Sequence, residues 1–323
     1  LHSSVPFSRR ALMKAAAALA ATSATPLTAF SQTTPAAAPA PASATPAPAP
    51  TPASASAATG PRTATLDWAH LETLLALGSN VVAAPELKQF REVAVEPVVP
   101  DGVADLGLRG TPNLETLSFA KPDLIFNSNY YAWADKQLSG IAPVKNLAIY
   151  VPGEDPFVMA TRATVAIGEA IGVKTALSYV KGVNHRLDEL RQSLADGDGR
   201  PVLLINLGDA RHYRVFGSDS MFGSVLTRLG LDNAWPGATA YSATAPIGIE
   251  TLAQMPDAWI VMIPPSPADA LAELKDGAFW NALPAVKEKR VISIDPVNPY
   301  GALPAARRFA EELSKGLIDG WNG

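Results

Sequence analysis

The chain has 323 residues, 48% of them apolar, which is enough for two domains with real cores and too long for a single small one. Of its 26 basic and 30 acidic residues, three basic ones (Arg9, Arg10, Lys14) and no acidic ones precede residue 61, so the remaining body carries 23 against 30. An acidic body argues against nucleic acid or an anionic membrane as partner, and the absence of cysteine excludes disulfides, thiolate metal sites, a cysteine nucleophile and a lipidated cysteine anchor.

Residues Ser8 to Lys14 read SRRALMK, and an alanine-rich apolar run follows through Ala24. The paired arginines, modest hydrophobicity and following lysine resemble a twin-arginine export signal. The run is too short to hold a bilayer core of about 30 Å permanently. It predicts a signal peptide over 1–32, cut between Ala24 and Gln32, and a periplasmic address. Residues 33–61 repeat Ala, Pro, Ser and Thr, which cannot bury enough apolar surface to offset backbone entropy, so an extended linker is expected there.

An N-terminal α/β lobe is expected over 62–152. Asp67 to Gly78 opens on an N-cap residue, closes on glycine and sets Leu71, Leu74 and Leu75 on one helical face. Short apolar runs at Val81–Ala84, Leu124–Phe126 and Leu147–Val151 read as strands, with a helical pattern at Asn113–Phe119 between them. Strands alternating with helices predict a mostly parallel sheet.

Pro156 to Val173 places Val158, Thr161, Val165, Gly168 and Ile171 at helical spacing. At about 1.5 Å per residue this helix is roughly 27 Å long, enough to bridge two lobes, and 153–180 is assigned to that bridge. A second helix is expected over Ala176–Leu194. The C-terminal lobe, 181–323, repeats the α/β plan with Val202–Leu207, Ser220–Leu229, Trp259–Ile263 and Val291–Ile294, closed by a helix over Leu303–Ile318.

No phosphate-binding glycine fingerprint and no G-x-S-x-G nucleophile turn is present, and His70, His185 and His212 have no histidine partner at ligand spacing. No metal site and no catalytic constellation can be assembled from these residues. Aromatic and cationic residues instead gather in segments that follow strands, where open α/β sheets place ligand contacts. These are Arg109 in LGLRGTPNLE, Tyr130, Tyr131 and Trp133 in IFNSNYYAWAD, Trp235 and Tyr241 in NAWPGATAYSAT, and Tyr300 in DPVNPYG.

The stretches VADLGLRGTPNLETL, KPDLIF, GDARHYRVFGSDSMFGSVLTRLGLDNAW and PYGALPAARRF resemble the periplasmic ferric-hydroxamate (ferrichrome-type) siderophore-binding proteins, a branch of the helical-backbone substrate-binding proteins of ABC importers. The resemblance covers residues 62 to 320. It implies two Rossmann-like lobes joined by one long helix, the class III architecture, with the ligand in a cleft between them. It further implies that Arg109 and Tyr131 hydrogen-bond the iron-coordinating hydroxamate oxygens and that Tyr300 forms a C-lobe wall. Tyr130, Trp133, Tyr241, Ser242, Thr244 and Asn298 complete the expected binding set.

Three positions depart from the ferrichrome pattern: Val93 and Ser242 stand where tryptophans are expected, and Asn298 where another aromatic is. A smaller or more polar chelate, or one packed by Tyr130 and Trp133, suits such a cleft. Glu250 matches the C-lobe acidic residue that docks on the permease, while the N-lobe counterpart falls on Lys136, with Asp135 adjacent as the expected acidic dock. Arg211 and His212 are read as fixing a turn between strands. The implied partners are a ferric siderophore and an inner-membrane ABC permease with its cytoplasmic ATPase. The protein is expected to be a monomer, to need no cofactor of its own because the iron arrives already chelated, and not to be an enzyme. Haem, cobalamin or another siderophore class on the same fold is the alternative cargo, and a periplasmic enzyme the alternative class.

Overall fold

The computed structural model describes residues 60–240 and 246–322. The expected signal peptide, the linker up to residue 59, and Tyr241, Ser242 and Thr244 lie outside the described residues.

The N-terminal lobe runs β1 (Arg62–Thr65), α1 (Trp68–Ala76), β2 (Asn80–Ala84), α2 (Leu87–Val93), β3 (Ala104–Asp105), α3 (Leu114–Phe119), β4 (Leu124–Asn127), α4 (Asp135–Leu138) and β5 (Val144–Asn146). Its five strands are all parallel, in the order β3-β2-β1-β4-β5. Both faces are covered, so neighbouring strand residues enter different cores: Ile125 packs with Leu66, Leu117 and Leu138, while Phe126 packs with Leu71, Leu74 and Phe90. Asp67 caps α1, accepting from the Ala69 amide at 2.8 Å, and Asn113 caps α3.

The apolar run Leu147–Val151 is not a strand. The sheet edge is β5, three residues earlier, and the Leu147 amide makes its last sheet-like bond to the Asn127 carbonyl at 2.9 Å. Beyond it Ile149 and Tyr150 are buried in the core cluster dominated by the C-terminal lobe, so the run is apolar because it packs between lobes.

The bridging helix is α5 (Pro156–Ile171), started by Asp155, with Pro156 at its first position, and stopped by Gly172 in the left-handed conformation at φ 75°. Phe157, Ala160 and Ala163 belong to the C-lobe core, and Ile167 and Ile171 to the N-lobe core, so one rod is embedded in both. Its start is tied to the C-terminal lobe by Ser224, whose hydroxyl donates to Asp155 at 2.7 Å, and by the Arg228 guanidinium 3.8 Å over the Phe157 ring. Near its other end a side chain on Gly168 would collide with Ala176, the first residue of α6 (Ala176–Ser193).

The C-terminal lobe follows with β6 (Val202–Leu207), β7 (His212–Val215), α7 (Met221–Leu229), β8 (Ile247–Gly248), β9 (Trp259–Met262), α8 (Ala268–Asp276), α9 (Ala278–Ala282), α10 (Pro284–Lys287), β10 (Val291–Ser293) and α11 (Leu303–Asn322). Its sheet order is β10-β9-β6-β7-β8; the first three strands pair in parallel, and β7 runs antiparallel to both β6 and β8. The short turn between β6 and β7 makes that pair antiparallel. Asp209 organises the turn, accepting from the Arg211 and His212 amides and from His212 Nδ1, which leaves Arg211 and His212 as turn residues.

The lobes meet through buried polar contacts as well as packing. Glu72 on α1, fully buried, accepts from Asn298 Nδ2 at 2.7 Å and from the Ala302 amide at 3.0 Å, beside the start of α11. The Tyr150 hydroxyl donates to the Gly301 carbonyl at 2.8 Å. Gly301 is required at this crossing, because a side chain there would run into Glu72 and Ala305.

Candidate functional site

In the N-terminal sheet the chain moves outward from β1 through β2 to β3, then returns to the other side of β1 for β4 and β5. The order reverses between β1 and β4, and the loops leaving the carboxyl ends of adjacent strands diverge there and open a crevice. All five strand ends supply it: Asp67 and Trp68 after β1, Glu86 after β2, Arg109 after β3, Tyr130 and Tyr131 after β4, and Tyr150 after β5. Tyr300, from the loop between β10 and α11, closes it from the other lobe. The resulting cavity is about 520 Å³.

Arg109 is held on two sides. Its guanidinium carbon lies 4.0 Å over the Trp68 ring, and its Nε donates to Glu86 Oε2 at 2.7 Å while its amide donates to Glu86 Oε1 at 3.1 Å. Trp68 is itself fixed, donating through Nε1 to the Pro85 carbonyl at 3.0 Å and meeting Phe90 edge-on. Glu86 adopts a left-handed backbone at φ 52°, which costs a non-glycine residue about 1–2 kcal/mol. Its amide donates to the Gly107 carbonyl, and Asp105 receives the Leu87 amide, so the loops after β2 and β3 clasp each other around the pair. A guanidinium has five donors, so hydrogen-bonding capacity remains at its Nη groups after Nε is taken.

Tyr131 sits in a 3-10 turn (Asn129–Ala134), its phenol close enough to Arg109 to feel its charge. Burial and the charge of Asp67 push its phenol up to about 12, so at neutral pH it remains a protonated donor. Burial likewise raises Tyr150 well above the ordinary phenol value. Its ring stands between those of Tyr130 and Tyr300, edge-on to each with centroids 6.4 and 6.5 Å away, and forms an aromatic wall across the lobe boundary. The cavity thus offers a cationic donor and a phenolic donor opposite apolar ring faces.

Of the residues expected at the ligand, Arg109, Tyr130, Tyr131 and Tyr300 come together. Trp133 does not line the cavity; it is exposed on the far part of the 3-10 turn. Asn298 does not line it either: its side chain is buried against Glu72 because the lobe crossing needs a donor there. Asp135 is no free acidic dock, since its carboxylate receives Asn127 Nδ2 at 2.7 Å and Asn146 Nδ2 at 2.8 Å and so fastens the turn to the sheet. Glu250 is exposed at the start of the turn Ile249–Gln254. Val93 packs against the N-lobe core.

As cavity residues Asp67, Trp68, Glu86 and Tyr150 were not anticipated, Asp67 being legible only as a helix cap. The first two follow a four-residue strand too short to read, and Tyr150 lay inside a supposed strand. Among the described residues no group of three or more His, Asp or Glu side chains is placed to hold a metal, and no helix is long and apolar enough to cross a membrane.

The sequence profile of the periplasmic binding protein family matches residues 64–297. The chain is 29% identical over 257 residues to the iron(3+)-hydroxamate-binding protein FhuD of Escherichia coli, covering 79% of this chain and 86% of that one. It is 25% identical over 280 residues to the Fe(3+) dicitrate-binding periplasmic protein FecB of the same organism, covering 78% and 89%. The siderophore-binding protein FhuD of Vibrio cholerae, solved with Fe3+-Desferal, superposes with a TM-score of 0.76 at 27% identity, over 81% of this chain and 99% of that one. With two α/β lobes braced by a single helix and a cavity at their junction, this chain belongs to the periplasmic binding protein family, in its class III architecture.

Proposed function

We propose that the protein captures an iron(III)-hydroxamate siderophore in the periplasm and delivers it to an inner-membrane ABC permease powered by a cytoplasmic ATPase. The observation that carries this reading is the pairing of Arg109 with Tyr131 at the mouth of a cavity walled by tyrosines. Iron wrapped by three hydroxamates has no coordination site left for the protein. What the protein must recognise is the outward side of the chelating oxygens and the apolar chain joining them. A guanidinium donating to those oxygens makes charge-assisted bonds, the Tyr131 hydroxyl adds a neutral one, and the Tyr130, Tyr150 and Tyr300 rings accept the apolar part. The relatives named for hydroxamate and Desferal binding support the same cargo.

The FecB relative raises ferric citrate as a second cargo. That complex is rich in carboxylates, whereas Arg109 is the one cationic residue among the described residues lining the cavity. The proposal includes export through the segment SRRALMK, action as a monomer without a resident cofactor or enzymatic turnover, and docking of Glu250 on the permease. Trp68, in contact with Arg109, supplies a reporter: its fluorescence should be quenched saturably by ferrichrome and ferric desferrioxamine. Tighter saturation by ferric citrate, haemin or a ferric catecholate than by every hydroxamate would overturn the reading.

A further inference from the structure

The charged groups lining the cavity, among the described residues, are Asp67, Glu86 and Arg109, two carboxylates against one guanidinium. Glu86 already neutralises Arg109 through the 2.7 Å contact. Asp67 has no such counterpart: its carboxylate accepts from the Ala69 amide and the Ser128 hydroxyl, both neutral donors. The N-terminus of α1, which Asp67 caps, offsets at most about half a charge. Tyr131 and Tyr150 stay protonated and contribute no charge of their own. Outside the lining, Asp105 adds a further carboxylate to the same pair of loops, and Lys88, two residues beyond Glu86, is exposed on α2 and does not reach the cavity wall. The C-lobe segment 236–249 contains no charged residue in its sequence.

The cavity is therefore a negative site despite its arginine, and Tyr130 and Tyr300, both partly exposed, stand in its wall. A carboxylate beside aromatic rings is the combination that attracts an alkylammonium group. We infer that Asp67 and Glu86 select among ferric hydroxamates by the charge of the groups the chelate leaves free, favouring a complex with a pendant protonated amine over a neutral one, and a neutral one over one with a pendant carboxylate. This inference rests on the hydroxamate reading above and adds the sign of charge to it. Arg109 meets the chelating oxygens, where negative charge is concentrated, while Asp67 meets whatever projects beyond them.

The test uses ferric desferrioxamine B, whose free end is an ammonium, its N-acetyl derivative, which is neutral there, and its N-succinyl derivative, which is anionic. Titrated into the protein at about 0.01 M salt, the three should bind in that order, with the first about tenfold or more tighter than the last. At about 1 M salt, where the Debye length falls from about 30 Å to about 3 Å, the spread should shrink several-fold. Asp67→Asn, which keeps a good helix cap, and Glu86→Gln should each compress the ratio of the ammonium to the carboxylate form, whatever they do to affinity overall. Binding of all three within about twofold, or a spread that salt leaves unchanged, overturns the charge selection and leaves the hydroxamate reading intact. Failure of all three to bind overturns the hydroxamate reading and this inference with it.

Discussion

The Glu72 carboxyl group accepts a hydrogen bond from the Asn298 side-chain amide at 2.7 Å across 226 positions of sequence, joining the first helix of one lobe to the last loop of the other inside a fully buried contact. Burial pushes its carboxyl up to about 8, against the pull of Asn298 and the Ala302 amide. The folded protein thus holds a proton there that the unfolded chain releases above roughly 4.3. The stabilisation is complete below that value and is lost as pH rises through about 8.

His70, on the same helix, works in the opposite direction. Burial lowers its pKa, so it contributes stability present above the unfolded value of roughly 6.5 and lost as pH falls through its lower folded value. Thermal melts of the wild type and Glu72→Gln between pH 5 and pH 9 should show the difference between them narrowing or changing sign in favour of the variant toward alkaline pH. A pH-independent difference would contradict this account of Glu72.

Arg109→Ala removes the charge-assisted donor and should weaken ferric hydroxamate binding by about ten- to a hundredfold, corresponding to roughly 1.5–3 kcal/mol. Tyr131→Phe removes one neutral hydrogen bond and should cost less, about three- to tenfold. Because the Tyr131 phenol stays protonated to about 12, its contribution should be constant from pH 6 to 9. Calorimetric titration of both variants checks the order, and an Arg109→Ala affinity equal to wild type would remove the arginine from the site.

The start of the bridging helix should be a stability hot spot. Asp155 accepts from the Phe157 amide at 2.8 Å and from the Ser224 hydroxyl at 2.7 Å, so Asp155→Ala loses a cap and an anchor to α7 together. The expected cost is about 1–2 kcal/mol, a drop of a few degrees in Tm, with Ser224→Ala costing less. Parallel melting curves decide it, and equal losses for the two variants would show that the cap itself carries little.

Lobe closure should be small. α5 is embedded in both cores, and Glu72 and Tyr150 pin the loop before α11 to the N-terminal lobe, so a wide hinge would break buried hydrogen bonds. Solution scattering with and without ferric desferrioxamine should give radii of gyration agreeing within about 1 Å. A decrease of several ångströms on binding would refute a preformed cleft.

The sequence by itself determined the secondary elements whose signals are local. Asp67 capping a leucine-faced helix, the long rod opening at Pro156, and the buried strand Val202–Leu207 all follow from residues within one or two turns of each other. Arg109 and the tyrosines were legible as residue types unusual in loops after strands. Only the tertiary structure decided how they combine, because the cavity draws on the ends of strands far apart in the chain. Glu86 becomes the clamp of Arg109 only when β2 lies beside β3, and Trp68 its platform only when α1 starts under that loop. An apolar run reads alike whether it is a strand or a crossing between lobes, which is why Leu147–Val151 needed the fold to place it. Asn298 likewise revealed its partner only when a buried carboxylate from the other lobe came within hydrogen-bonding distance.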